Sequence, residues 1–184
     1  DAISAHRPGK PLDQQPGGLQ LWHHFKGQAP QAPVRMHFVG HSAGAIVSAF
    51  MIDRLVRLEG LRLSSASFLA PALRVDAFQA LVLPHLKSGA VSRYLQCHLS
   101  EQAEEDDPSC GPYRRSLLHL VSESFEGGAT VPIVGMEKHF RNMALPPHTV
   151  VCRAPGPDSG ATRHGDFDND RLTKARVLKF IRGG

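Results

Sequence analysis

Val34 to Gly44 read VRMHFVGHSAG. A short apolar run ends in Gly40-His41-Ser42-Ala43-Gly44, of the form Gly-x-Ser-x-Gly, and a helical pattern follows through Ala45, Ile46, Ala49, Phe50 and Asp53. Strand, sharp turn and helix with Ser at the apex is the arrangement of a nucleophile elbow. The turn is expected to strain the Ser42 backbone. It calls for small residues two positions before and two after, where a Cβ would meet the neighbouring strand and helix. The hydroxyl then projects above the sheet at the positive end of a helix, where an oxyanion can be stabilised. With 17 Gly in 184 residues the pentapeptide alone is a weak signal, and its strand-to-helix context is what sharpens it.

Outward from this corner the pattern alternates. Val34–Val39 reads as a buried strand, Ala43–Leu58 as an amphipathic helix stopped by Gly60, and Ser65–Ala70 as a second strand. Asp76–Leu86 reads as a short helix capped by Asp76, Val91–Leu99 as a third strand, and Tyr113–Phe125 as a helix ended by Gly127-Gly128. Thr149–Cys152 is a fourth strand and Asp170–Ile181 a closing helix. This alternation predicts an α/β fold, a mostly parallel sheet with helices on both faces. Ligands on such sheets bind at the carboxyl ends of the strands, where Ser42 falls. Residues 1–33 differ: Pro8, Pro11, Pro16, Pro30 and Pro33 punctuate them, and only Leu19–Phe25 suggests a short helix. They are expected to be a loop-rich, poorly ordered segment ahead of a domain over residues 34–184.

Composition narrows the classes. The chain has 184 residues, 41% of them hydrophobic, enough for one domain with a substantial core. No apolar run approaches the roughly 20 residues of a membrane span, and no signal segment is seen. The net charge of +4 is dispersed, without the aromatic interleaving of a nucleic-acid platform. Cys97, Cys110 and Cys152 are widely spaced and suit a reducing, cytoplasmic compartment rather than a zinc site. The adjacent His23 and His24 lack a third ligand, so no metal is expected, and nothing points to a nucleotide, flavin or other cofactor.

A serine hydroxyl needs a base within hydrogen-bond reach, and the base needs an orienting acid. His164 is the best base, in a polar loop after the last strand. His139 and His148 do not follow a strand, and His41 flanks the site. The acid is expected after the third strand, in Ser100-Glu101-Gln102-Ala103-Glu104-Glu105-Asp106-Asp107. Glu101 is favoured for falling directly after the strand end, with Glu104, Asp106 and Asp107 as alternatives. Asp166, Asp168 and Asp170 suit caps of the closing helix. The backbone N–H of Ala43 is expected to be one oxyanion donor. Phe68, Leu73, Phe78, Leu81, Met136 and Phe140 are available as pocket lining, though residues of this kind more often form core.

On these residues, Val34–Gly44 with His164 in its post-strand loop, the chain resembles the C-terminal half of an α/β-hydrolase. GHSAG is similar to the elbows of esterases, lipases and thioesterases of that superfamily. The resemblance covers residues 34–184 and implies Ser42 as nucleophile, His164 as base and Ala43 as oxyanion donor. It implies a small-molecule ester or thioester substrate. Family members place several strands before the elbow, and this chain offers only a Pro- and Gly-rich segment there. The expectation is a truncated or partial domain with a bare sheet edge, an incomplete oxyanion hole and weak activity. Two other readings stand beside the hydrolase. One is a non-catalytic binding module on the same fold. The other is an acyltransferase, disfavoured by Ala45 at a position where such elbows often carry an acid.

Overall fold

The computed structural model describes residues 7–28, 34–125 and 130–183. Pro30, Pro33 and the Gly127-Gly128 helix stop lie outside the described residues. Four strands form one parallel sheet in the order β1-β2-β3-β4: β1 His37–His41, β2 Ser65–Leu69, β3 Tyr94–Leu99 and β4 Thr149–Ala154. The helices are α1 Gly17–Gly27, α2 Ala43–Arg57, α3 Val75–Leu81, α4 Leu83–Lys87, α5 Glu101–Asp106, α6 Leu117–Leu120, α7 Glu137–Phe140 and α8 Arg171–Arg182. The fold is α/β, as the alternation of patterns predicts.

The sheet is covered on both faces, and the two-residue period of the strands assigns side chains to each. On one face Ala66, Phe68 and Tyr94 pack with Ala45, Ala49 and Ile52 of α2 and with Phe78 of α3 and Leu86 of α4. On the other, Leu69, Leu95, Cys97, Leu99 and Cys152 pack with Val177 and Phe180 of α8. Every residue of β2 and β3 is buried, as expected for inner parallel strands covered on both faces. Strands laid side by side in chain order with right-handed crossovers put their connecting helices on one face, which is where α2, α3 and α4 lie.

Several boundaries move, each for a local reason. β1 starts at His37 and runs through Gly40 to His41, because pairing with β2 begins at His37↔Ser65 and continues to His41↔Leu69. Val91 makes only an isolated bridge to Leu63, so β3 begins at Tyr94. The helix expected over Tyr113–Phe125 shrinks to α6 and a wide π turn, Val121–Phe125. Arg114, with φ 50°, breaks the path before Ser116 caps α6 by accepting the His119 N–H. Asp76 is not the cap of α3: Arg74 occupies that place, and Asp76 sits in the first turn, paired with Arg74.

The stretch ahead of β1 is more structured than its composition suggests. Gln15 is buried and accepts from Arg7 N–H while its amide donates to the carbonyls of Arg7 and Lys10. α1 buries Leu19 and Trp22, and Trp22 packs on Met51 and Leu55 of α2. Among the described residues β1 has one strand partner, β2, and Val39 is 48% exposed. No described helix is long and apolar enough to cross a membrane.

Candidate active site

The corner after β1 has the strain that the pentapeptide predicts. Ser42 has φ 53° and ψ −120°, outside the regions a non-glycine residue ordinarily occupies. Three backbone hydrogen bonds hold it: its N–H donates to Leu69 C=O at 2.9 Å, and its C=O accepts from Ala45 and Ala72 N–H, each at 3.1 Å. The two glycines serve differently. A Cβ on Gly40 would lie 2.7 Å from Ala45 N and from Gly44 O, so only glycine fits there. A Cβ on Gly44 would meet no atom within 4 Å, which corrects the expectation of crowding on both sides of the serine.

The structure brings Ser42 and His164 together across 122 residues: Ser42 Oγ and His164 Nε2 lie 2.8 Å apart, within hydrogen-bond distance. Ser42 is half-buried, and His164 is 4% exposed. His164 opens a short 3-10 turn, His164–Asp166, between β4 and α8. The loop that carries it is braced by two carboxylates. Asp166 accepts from Thr162 and Arg163 N–H, and Asp170 accepts from Gly160 and Thr173 N–H. Asp170 is the cap of α8. Asp166 serves the His164 turn instead, and Asp168 accepts from the Asn169 amide.

The carboxylate that reaches His164 belongs to Asp107, not Glu101. Asp107 is 1% exposed, and its Oδ2 accepts the His164 backbone N–H at 2.8 Å. Its Oδ1 accepts from the Ser109 N–H at 2.9 Å and from the Ser109 hydroxyl. Glu101 points away, 43% exposed and paired with Arg141 at 3.1 Å. The reason is local: Ser100 caps α5 by accepting the Ala103 N–H, so the acidic run from Glu101 to Asp106 is wound into a helix. Asp107 is the first residue beyond that helix, turned by Pro108. Glu104 is buried as well, but it accepts from the Ser116 hydroxyl. Asp106 accepts from the Gln102 amide.

Burial pushes the His164 imidazole down to about 4, and the neighbouring His41 adds to the effect while Asp107 opposes it. At neutral pH the ring is therefore uncharged and able to accept a proton at Nε2. Its Nδ1 is buried and has no hydrogen-bond partner among the described residues. Asp107 thus reaches His164 through its backbone N–H and its charge.

Ala43, exposed, opens α2, and its N–H is one of the four that a helix start leaves unbonded by the helix itself. An apolar cleft of about 480 Å³ lies beside His41, walled by Val39, Leu69, Phe167, Val177, Leu178 and Ile181. Phe68, Leu73, Phe78, Met136 and Phe140, considered as pocket lining, are all core residues. His139 is tied to the Ile133 backbone, and His23 and His24 are exposed on α1. Among the described residues no group of three or more His, Cys, Asp and Glu side chains is placed to hold a metal ion.

Comparison of the chain with protein-family models, with curated proteins and with solved structures finds no match. The functional reading therefore stands on the geometry of the site.

Proposed function

We propose that this protein is a serine hydrolase that cleaves carboxylic esters or thioesters through an acyl-enzyme. The observation that carries this reading is the 2.8 Å contact between Ser42 Oγ and His164 Nε2 at the carboxyl ends of β1 and β4. In the proposed reaction Ser42 Oγ attacks the substrate carbonyl carbon as His164 Nε2 takes its proton. The oxyanion accepts from the Ala43 N–H. Collapse of the tetrahedral intermediate breaks the bond to the alcohol or thiol, which leaves with the proton from His164. Water then attacks the acyl-Ser42 carbonyl with His164 again as base, and the carboxylic acid departs.

The other parts support the same assignment. The neutral imidazole is the form a general base requires. The Asp107 carboxylate fixes the His164 backbone and favours the imidazolium that forms during transfer. The order Ser42, Asp107, His164 is the chain order of α/β-hydrolase triads, which supports the resemblance seen in the elbow. The buried free thiols Cys97 and Cys152 fit the cytoplasmic setting that the cysteine pattern suggests.

A fluorophosphonate probe tests the reading, since it labels only an activated serine. The expected result is labelling of the wild type at one site, lost in Ser42→Ala and in His164→Ala. A folded wild type that takes no label refutes the hydrolase and leaves a non-catalytic binding module.

A further inference from the structure

We infer that His41 is a positioning residue for the base: from the last position of β1 it holds the loop of His164 against the elbow of Ser42. This rests on the serine-hydrolase reading proposed above. His41 Nε2 lies 2.9 Å from the His164 carbonyl oxygen. A carbonyl can only accept, so His41 carries its proton on Nε2 and donates it there. The His164 N–H is taken by Asp107, so both backbone polar groups of the base are held by side chains from distant parts of the chain. One tie comes from beyond β3 and the other from β1.

The His41 tie is the more direct. His41 and Ser42 share a peptide bond, so the hydrogen bond from His41 fixes the base relative to the nucleophile with one rigid ring between them. Ring contacts reinforce it. The His41 and His164 centroids are 5.3 Å apart with planes at 31°, and Phe167, three residues beyond the base, lies 6.3 Å from His41. A displacement of about 1 Å between reacting groups can cost on the order of 100-fold in rate. A clamp on the backbone of the base is therefore a clamp on the reaction.

His41 also has an electrostatic effect that a purely structural contact would lack. The charged and titratable groups facing His164 are His41 from β1 and Asp107 from beyond α5, with the Ser42 hydroxyl at its Nε2. His41 itself borders the cleft that holds Asp168 and Lys174. Positive charge on His41 opposes protonation of His164. Loss of the ring removes that opposition whatever replaces it, whereas loss of the donor depends on the replacement. Glutamine can set an amide N–H near the place of Nε2, and phenylalanine keeps the ring shape without a donor.

The experiment compares His41→Gln and His41→Phe with wild type, Ser42→Ala and His164→Ala in the rate of fluorophosphonate labelling against pH. Circular dichroism verifies folding. His41→Phe is expected to slow labelling by roughly 10- to 100-fold at its optimum, and His41→Gln to stay within about threefold of wild type. In both, the acid limb should move to higher pH, and the His164 ring should titrate higher by NMR. Labelling of His41→Phe at the wild-type rate overturns the inference. So does an unmoved acid limb in His41→Gln, which decides the matter even if His41→Phe does not fold. Undiminished labelling of Ser42→Ala or His164→Ala instead brings down the hydrolase reading and the inference with it. Silent controls beside an unaffected His41→Phe bring down the inference alone.

Discussion

The two glycines of the elbow give a sharp test because the structure assigns them opposite costs. In Gly40→Ala the new methyl would sit 2.7 Å from Ala45 N, 2.7 Å from Gly44 O and 2.8 Å from Ala45 Cα. All three are backbone atoms, so no side chain can swing aside, and the first turn of α2 has to move away from β1. Overpacking of this kind costs about 1–3 kcal/mol, and the rigidity of the obstacle puts this site at about 3. For a chain of this size that is a fall in Tm of roughly 6–12 °C. The movement also displaces Ser42, so fluorophosphonate labelling should drop by about 100-fold. In Gly44→Ala the methyl enters open space in the first turn of a helix. Alanine there gains up to about 1 kcal/mol in helix propensity, a rise of roughly 2–4 °C. Thermal melts followed by circular dichroism, with labelling rates at one pH, read both effects. A Gly40→Ala variant that melts within about 2 °C of wild type refutes the tight elbow. A Gly44→Ala variant as damaged as Gly40→Ala refutes the open space beyond it.

The two carboxylates weighed for the acid separate in hydrolysis of a p-nitrophenyl ester. Asp107→Asn should lower kcat/KM by roughly 10- to 100-fold and move the acid limb to lower pH, because the Asp107 charge holds His164 up. Glu101→Gln, which breaks only a half-exposed pair with Arg141, should stay within about twofold, and an equal loss there would return the role to Glu101. Glu104 gives a stability signature apart from activity. Burial raises its carboxyl to about 7, so the folded state holds a proton between pH 4.5 and 7 that the unfolded state has released. Stability from this group therefore declines as pH rises through that window, by about 3 kcal/mol in all. Glu104→Gln should remove the decline, which urea titrations at pH 5 and pH 8 would measure; parallel pH dependence in the two proteins would contradict a buried neutral Glu104.

Much of this was legible in the residues, and where legibility failed the cause can be named. The Gly40–Gly44 pattern locates Ser42, because a serine on a strained corner requires a glycine where strand and helix touch. His164 is legible by elimination, as the histidine in the loop between the last strand and the last helix. The carboxylate that meets His164 was not, because five carboxylates in eight residues look alike until the helix is drawn. The signal was present in Ser100 and Pro108. A serine cap opens a helix that consumes Glu101 to Asp106, and the Asp-Pro-Ser turn that follows leaves Asp107 facing inward. His41 lies within the motif itself, yet its partner is a main-chain carbonyl 123 residues away, and no side-chain pattern marks a carbonyl. The Tyr113–Phe125 helix failed for a related reason: apolar spacing shows which residues want burial but not that Arg114 takes a left-handed conformation.

The arrangement of supports around Ser42 explains how a strained serine can persist on a strand with one described partner. A backbone of this kind costs about 1–3 kcal/mol and survives only where its surroundings over-determine it. Here the supports come from one side. Leu69, at the end of β2, accepts the Ser42 N–H, and Ala72, in the loop after β2, donates to the Ser42 C=O. Ala45 supplies the third bond from within α2 itself. The other groups of the site follow the same direction across the sheet, with Asp107 beyond β3 and His164 beyond β4. Ser42, Asp107 and His164 thus sit past the carboxyl ends of β1, β3 and β4, and β2 and its loop lock the strained corner from between. None of these contacts uses the outer side of β1. The printed contacts that join Ser42 to His164 therefore all lie within the four-stranded unit.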